Sequence, residues 1–123
     1  MYKKIIIFAI CLIIIDSIWI RLHMLPKYIK WFTSINIKIS YNYISILLAY
    51  IIMILVYPLF IADKDKKKEL IKAALIGSII YGLYAFTVAG IFPKYGLQFA
   101  FQEVIWGAFV YTISTFITQK IIK

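Results

Sequence analysis

Four continuous apolar runs, each about as long as a bilayer-crossing helix, dominate the 123-residue chain. They cover residues 5–24, 43–62, 70–92 and 97–118. A helix needs about 20 apolar residues to cross a hydrocarbon core about 30 Å thick. Strands do not fit, because the runs do not alternate apolar and polar residues and too few residues are present to close a barrel. We therefore predict an all-α, polytopic membrane protein with four transmembrane helices in a single membrane domain, residues 1–123.

The composition indicates that the protein interior alone cannot cover all the apolar side chains of the chain. Hydrophobic residues make up 64% of the chain and charged residues only 15%, against about half and a quarter in soluble domains. A chain this short hides only about 60–70% of its unfolded surface, so lipid must cover the rest. A soluble enzyme, a disordered tail and a disulfide-rich module are poor fits. Cys11 is the only cysteine and has no ligand-forming neighbours, so no cofactor and no metal are expected.

Basic residues predict the partners and the orientation. The net charge is +9, and the bases flank the apolar runs. They therefore indicate contact with the lipid bilayer and its anionic headgroups, and no nucleic acid. With the N-terminus inside, the inner side collects most of the lysines, which predicts that both termini are cytoplasmic. The charged stretch 63–69 is then a solvated loop. The outer side keeps Arg21, Lys27, Lys30, Lys38 and Lys94.

The connection after the first run has the pattern of an amphipathic helix. Pro26 suits the first position of a helix. Basic residues follow on one face and aromatic residues on the other, which is typical of a helix lying at headgroup depth. We predict a short interfacial helix over about residues 26–38; the alternative is an irregular loop with aromatic anchors. The proposed interface anchors are Lys27, Tyr28, Lys30 and Trp31.

Two carboxylates lie inside predicted spans, Asp16 in the first and Glu103 in the fourth. Such a residue costs about 2.5–3.5 kcal/mol on insertion scales and usually faces the bundle interior with partners. At a rise of 1.5 Å per residue, both acids lie about 9–12 Å below the outer surface. We therefore predict that they meet in the outer leaflet.

Neighbouring residues extend this prediction to a polar intramembrane site. The third span brings two tyrosines and a threonine to a similar depth. A tryptophan three residues after each acid shares its helix face, so an indole N–H can lie beside a carboxylate. Small residues on the third and fourth spans allow close helix packing. The predicted site is Asp16, Trp19, Tyr81, Tyr84, Thr87, Glu103 and Trp106, and the predicted packing positions are Ser78, Gly82 and Gly107.

These motifs resemble a known family. Asp16-x-x-Trp19, Tyr84-x-x-Thr87 and the acid-x-x-Trp-Gly run from Glu103 are similar to motifs of small four-helix membrane proteins, known as domain of unknown function twenty-one seventy-seven. The likeness covers the whole chain. The family usually has Asp and Asn within its Tyr-Asp-x-Thr-Asn motif and Asp at the position of Glu103, and this chain departs from both. The resemblance implies a four-helix fold without an established reaction, in bacteria or in large DNA viruses, where the virion or a host membrane would hold it.

Three functions remain open. The first is a binding or transport-like membrane protein whose outer-leaflet site, with Asp16 and Glu103 as acceptors, holds a proton, a small cation or a lipid headgroup. Four short helices are few for a transport path, so this function implies a homo-oligomer. The second is a structural or accessory protein in which the polar cluster only fixes helix packing. The third is a lipid-modifying enzyme; since no HExxH, GxSxG or Cys/His pair is present, no catalytic residue is assigned and an enzyme is not expected.

Overall fold

The computed structural model describes residues 2–36 and 41–122, and the described residues form helices and short connections without strands. Four helical stretches are long and apolar enough to cross a membrane, which confirms the predicted fold class. The helices are α1 (Tyr2–Trp19), α2 (Leu25–Ser34), α3 (Tyr43–Val56), α4 (Lys66–Ile91) and α5 (Leu97–Ile121), with π-helical segments at Ile20–Met24 and Tyr57–Ile61.

Capping residues, not the ends of the apolar runs, determine where two helices begin. Asp65 accepts hydrogen bonds from the backbone N–H groups of Lys67 (3.0 Å) and Lys68 (3.3 Å). This cap satisfies donors at the first turn, so α4 begins at Lys66, four residues before the predicted span. Asn42 caps α3 in the same way through the N–H of Ser45, at 3.1 Å.

The first span continues into α2 without a break in the helix. A π-helical segment, Ile20–Met24, joins α1 to α2, and such segments insert an extra residue into a helical turn. Pro26 lies in the first turn of α2, where its missing N–H costs little. Residues 25–34 are therefore helical, and their location at a membrane interface stays a prediction. Residues 37 and 38 of the predicted interfacial segment, including Lys38, lie outside the described residues.

Helices α4 and α5 form an antiparallel hairpin whose backbones touch at two glycines. Gly77 and Gly107 are buried against each other, and a Cβ added at Gly107 would lie 2.6 Å from the Cβ of Tyr81. Gly82 faces Val104, where an added Cβ would lie 3.1 Å from a methyl carbon. Ser78 lies one residue away from the contact, and its hydroxyl donates to the Leu75 carbonyl at 2.8 Å. Gly77, which the sequence pattern did not single out, occupies the close approach instead.

The bundle has two ends, each with its own apolar cluster. The terminal end holds residue 2, the loop 62–65 and residue 122; the hairpin end holds α2 and the turn 92–96. Both chain ends of the described structure thus lie at the same end, and which side of the membrane that end faces stays a prediction. The terminal-end cluster comprises Phe8, Leu12, Tyr57, Ile61, Ala73, Val110 and Tyr111, and the hairpin-end cluster Ala85, Tyr95, Phe99 and Ala100.

Helix α3 is the least packed of the spanning helices. None of its residues is buried, and residues 43–49 are all exposed. No Cα atom of α3 comes within 8 Å of a Cα atom of α4 in the described ranges. The π-helical segment that follows is firmly held, since Tyr57 and Ile61 are fully buried. A gap therefore separates the first half of α3 from α4, and lipid must cover the exposed face.

The loop at the terminal end carries an ion pair that makes stability depend on pH. The Lys72 ammonium donates to Asp63 at 2.8 Å, and this hydrogen bond lowers the pKa of Asp63. A lowered pKa in the folded state stabilises the protein above the unfolded aspartate value, about 3.9, and this contribution is lost as the pH falls through the lower folded value.

We therefore expect the wild-type melting temperature to fall more than that of Asp63→Asn between about pH 4 and pH 2. Circular dichroism melts of both proteins in the same detergent measure the difference. Lys72→Gln should remove it as well, because the charged partner is lost. Parallel acid-side curves for wild type and Asp63→Asn would contradict this assignment.

Candidate functional site

Asp16 is buried in the bundle and receives hydrogen bonds from three other helices. Its side chain is 4% exposed. The Tyr81 hydroxyl of α4 donates to Oδ1 at 2.7 Å, and the Trp106 indole of α5 donates to the same oxygen at 3.1 Å. The Tyr50 hydroxyl of α3 donates to Oδ2 at 3.1 Å. One carboxylate of α1 therefore joins all four spans, and all three donors are neutral.

Glu103 and Asp16 each accept a hydrogen bond from the tryptophan of the other helix, across the α1–α5 contact. Glu103 is 1% exposed, and its Oε1 accepts a hydrogen bond from the Trp19 indole at 2.9 Å. Each indole thus donates to the acid of the other helix, although i, i+3 spacing puts it on the face of its own acid. The two indoles stack with ring centroids 4.5 Å apart and planes at 9°. This stacking between helices turns each N–H toward the opposite carboxylate.

Neither acid forms an ion pair within 4.0 Å with a side chain of the described residues. Among the described residues, the ion pair within 4.0 Å is Lys72 with Asp63, at the terminal end. Hydrogen bonds to a charged group contribute about 1.5–3 kcal/mol, so the four donors stabilise the carboxylates through their dipoles. No group of three or more His, Cys, Asp or Glu side chains that could hold a metal ion occurs in the described part of the chain.

A cavity of about 250 Å³ has both acidic residues in its lining. It lies between α3 and α4, at the gap where these helices do not touch. Its surface is almost entirely apolar, and two tyrosines and aliphatic or thioether side chains complete the lining. The lining residues are Asp16, Ile20, Met24, Ala49, Met53, Ile80, Tyr81, Tyr84 and Glu103.

Two residues of the predicted site have other partners. Tyr84 lines the cavity, but its hydroxyl pairs with the Tyr28 hydroxyl of α2 at 3.1 Å. Thr87 is exposed and donates to the Leu83 carbonyl at 2.6 Å. A helical threonine readily satisfies its hydroxyl on the carbonyl one turn earlier, so Thr87 does not join the cluster.

Tyr50 is the residue of this hydrogen-bond network that the sequence analysis missed, whereas Gln102 and His23 lie near the depth that helical rise predicts for them. Tyr50 lies seven positions into α3, and the rise that placed Asp16 also places Tyr50 about 10 Å below the surface. The signal was therefore present in the second span. His23 Nε2 pairs with Gln102 Oε1 at 3.0 Å, and the His23 ring stacks on Phe99 with centroids 5.3 Å apart. This pair lies toward the hairpin end from the two acids.

A third buried acid, Glu69, lies at the terminal end, where the sequence analysis expected a solvated loop. That expectation is wrong for Glu69, which is 2% exposed. Its carboxylate accepts hydrogen bonds from the Asp63 backbone N–H and the Gln119 amide, both at 2.9 Å, and from the Tyr57 hydroxyl at 3.4 Å. The early start of α4 explains the difference, because it turns Glu69 toward α5.

Comparison with known proteins places the chain in a family without assigning a ligand or a reaction. The model of a family described as predicted membrane protein (DUF2177) matches residues 1–119. This match confirms the resemblance drawn from the motifs. No curated protein and no solved structure matches the chain.

Proposed function

The chain belongs to DUF2177, a family of predicted membrane proteins, and we propose that its Asp16–Glu103 site binds the positively charged nitrogen of a small amphiphilic amine. The observation that supports this function is the presence of two buried acidic residues in the lining of one cavity of about 250 Å³. Neither has a cationic side chain within 4.0 Å among the described residues. The amine nitrogen supplies the missing positive charge, and its apolar body occupies the rest of the cavity.

The charge of the site favours a cation over an anion or a neutral molecule. An ionised carboxylate only accepts hydrogen bonds, at about four lone-pair positions. Asp16 accepts three side-chain bonds, whereas Glu103 accepts one, from Trp19. Glu103 therefore retains acceptor capacity. A charge inside the bilayer costs several kcal/mol, and an ammonium group beside both acids offsets part of that cost.

The shape of the cavity favours a small molecule that arrives through the bilayer. Its volume lies slightly below the range of about 300–1,000 Å³ for pockets of drug-sized ligands. Its walls include Ile20, Met53 and Ile80, which suit an alkyl chain. No Cα atoms of α3 and α4 approach within 8 Å, and residues 43–49 of α3 are exposed, which supports entry of an amphiphile between these two helices.

Hexylamine binding to the purified protein in nanodiscs tests this proposal. Trp19 and Trp106 donate to the two acids, so tryptophan fluorescence reports on the site. We expect a saturable change that the double variant Asp16→Asn, Glu103→Gln shifts to at least about tenfold higher hexylamine concentration. The reason is the loss of charged contacts worth about 1.5–3 kcal/mol, where 1.4 kcal/mol corresponds to a factor of ten.

Two controls separate charge from apolar partitioning. Hexanol has the same alkyl chain without the charge and should give no saturable change. Asp63→Asn removes an acid at the opposite end of the bundle and should bind hexylamine as wild type does. Equal responses to hexanol and hexylamine, or unchanged hexylamine binding by the double variant, would refute the proposal. A saturable response to sodium ions and none to hexylamine would identify a small cation, and not an amine, as the ligand of the site.

A structural role is the second candidate, and the three hydrogen bonds to Asp16 favour it. Their donors come from α3, α4 and α5, so the carboxylate can hold the bundle together without a ligand. This role predicts that the melting temperature of the double variant is well below that of wild type. It also predicts that the fluorescence of wild type does not respond to hexylamine. Circular dichroism melts alongside the fluorescence titration therefore distinguish the two functions.

A further inference from the structure

A basic cleft of about 450 Å³ lies at the hairpin end, between α2 and the turn that joins α4 to α5. Two lysines of α2, Lys27 and Lys30, line it together with Lys94 of the turn. Trp31 and Phe99 contribute aromatic rings to the same wall. This cleft is distinct from the Asp16–Glu103 cavity, which Lys27, Lys30 and Lys94 do not line.

The three lysines form no ion pair among the described residues, and two of them contact neutral groups. None has a carboxylate within 4.0 Å in the part of the chain that the structure describes. The Lys27 ammonium lies 4.7 Å from the centroid of the Phe99 ring, and Lys94 donates to the Ser34 hydroxyl. Three lysines therefore line the cleft without an ion-pair partner within 4.0 Å in the described ranges, and lysine ammonium groups are common ligands of phosphate.

The aromatic surroundings indicate the depth of the cleft in the membrane. Trp31 packs against Tyr95 and Phe99, with ring centroids 5.8 Å and 5.3 Å apart, and Tyr28 packs edge-on against Trp31. Tyrosine and tryptophan collect at the level of lipid headgroups. From the charge of the three lysines and this depth, we propose that the cleft binds a phosphate group, supplied by the headgroup of an anionic phospholipid or by free phosphate.

Lipid binding to the purified full-length protein tests the proposal. Native mass spectrometry from detergent measures adducts of phosphatidylglycerol, and isothermal titration measures inorganic phosphate in the same detergent. The test variant replaces Lys27, Lys30 and Lys94 with glutamine. The matched control replaces Lys64, Lys67 and Lys68 with glutamine, which removes the same charge at the terminal end.

We expect the cleft variant to bind phosphatidylglycerol at least tenfold more weakly than wild type and the loop variant to change less than twofold. That result supports a lipid phosphate. Selective loss of inorganic phosphate binding alone supports the same cleft with free phosphate as its ligand. Equal losses in both variants, or no loss in the cleft variant, overturn the proposal, because net charge would then explain all binding.

Folding of the cleft variant is checked by circular dichroism. If it does not fold, Lys30→Gln replaces it, since Lys30 is exposed and its side chain makes no hydrogen bond among the described residues. The matched single control is Lys67→Gln. A threefold or larger selective loss of phosphatidylglycerol or inorganic phosphate binding by Lys30→Gln supports the site, and binding equal to that of Lys67→Gln overturns it.

Discussion

Gly107→Val is expected to prevent the α4–α5 hairpin from closing. A Cβ at this position would lie 2.6 Å from both the Cβ and the Cγ of Tyr81 and still closer to the Gly77 carbonyl oxygen. A backbone carbonyl cannot rotate away as a flexible side chain can. Overpacking a filled core typically costs about 1–3 kcal/mol and occasionally more, and contact between two backbones belongs at the upper end. We expect a strong decrease in melting temperature or aggregation during purification.

Gly90→Val is the matched control for this substitution. An added Cβ at Gly90 would meet no atom within 4 Å, so the same change should shift stability by less than about 0.5 kcal/mol. Size-exclusion chromatography and circular dichroism melts in one detergent compare the two variants. Because Tyr81 also donates to Asp16, Gly107→Val should lose the hexylamine response as well. Identical melting temperatures for the two valine variants would show that the helices are not packed as closely as described.

Glu69→Ala is expected to give the second large loss of stability. The substitution removes the acceptor that the Asp63 backbone N–H and the Gln119 amide each reach at 2.9 Å, and the weaker bond from Tyr57; the amide keeps its second bond, to the Lys66 carbonyl. Each unpaired buried donor costs about 1–3 kcal/mol. We therefore expect the free energy of unfolding to fall by about 3 kcal/mol, measured by chemical denaturation followed by circular dichroism.

Two controls bracket the Glu69 result. Glu69→Gln keeps one carbonyl acceptor in nearly the same shape and should lose less stability than Glu69→Ala. Lys68→Ala, at an exposed neighbouring position, should change stability by less than about 0.5 kcal/mol. A solvated Glu69, as the sequence analysis expected, predicts no difference between Glu69→Ala and Lys68→Ala, so that outcome would rule out the buried network.

Hydrophobic length was sufficient to predict the four spans, because the requirement to cover a bilayer core acts on composition alone. It was not sufficient to predict where helices end. The start of α4 depends on the cap at Asp65, and the continuous path from α1 into α2 depends on the π-helical segment, Ile20–Met24. Both are local backbone events with little effect on average hydropathy.

Helical rise alone predicted that Asp16 and Glu103 lie at one depth, and the structure places both on one cavity. Rise does not specify rotation or partner choice. Trp19 and Trp106 each donate to the acid of the opposite helix because their rings stack on each other. This contact between helices cannot be read from the residue spacing within one helix. Thr87 has the right depth but donates to its own helix, to the carbonyl of Leu83.

Because α3 is weakly packed, we expect the width of the cavity to depend on the surrounding lipid. Residues 43–49 are exposed, whereas Tyr50 donates to Asp16 and Tyr57 is fully buried, so the helix is attached from its middle onward. A spanning helix whose hydrophobic length differs from the bilayer thickness tilts, and the free-energy cost is a fraction of a kcal/mol per ångström of mismatch. We therefore expect thinner or thicker bilayers to change the tilt of α3 and with it the width of the cavity that Ala49 and Met53 line.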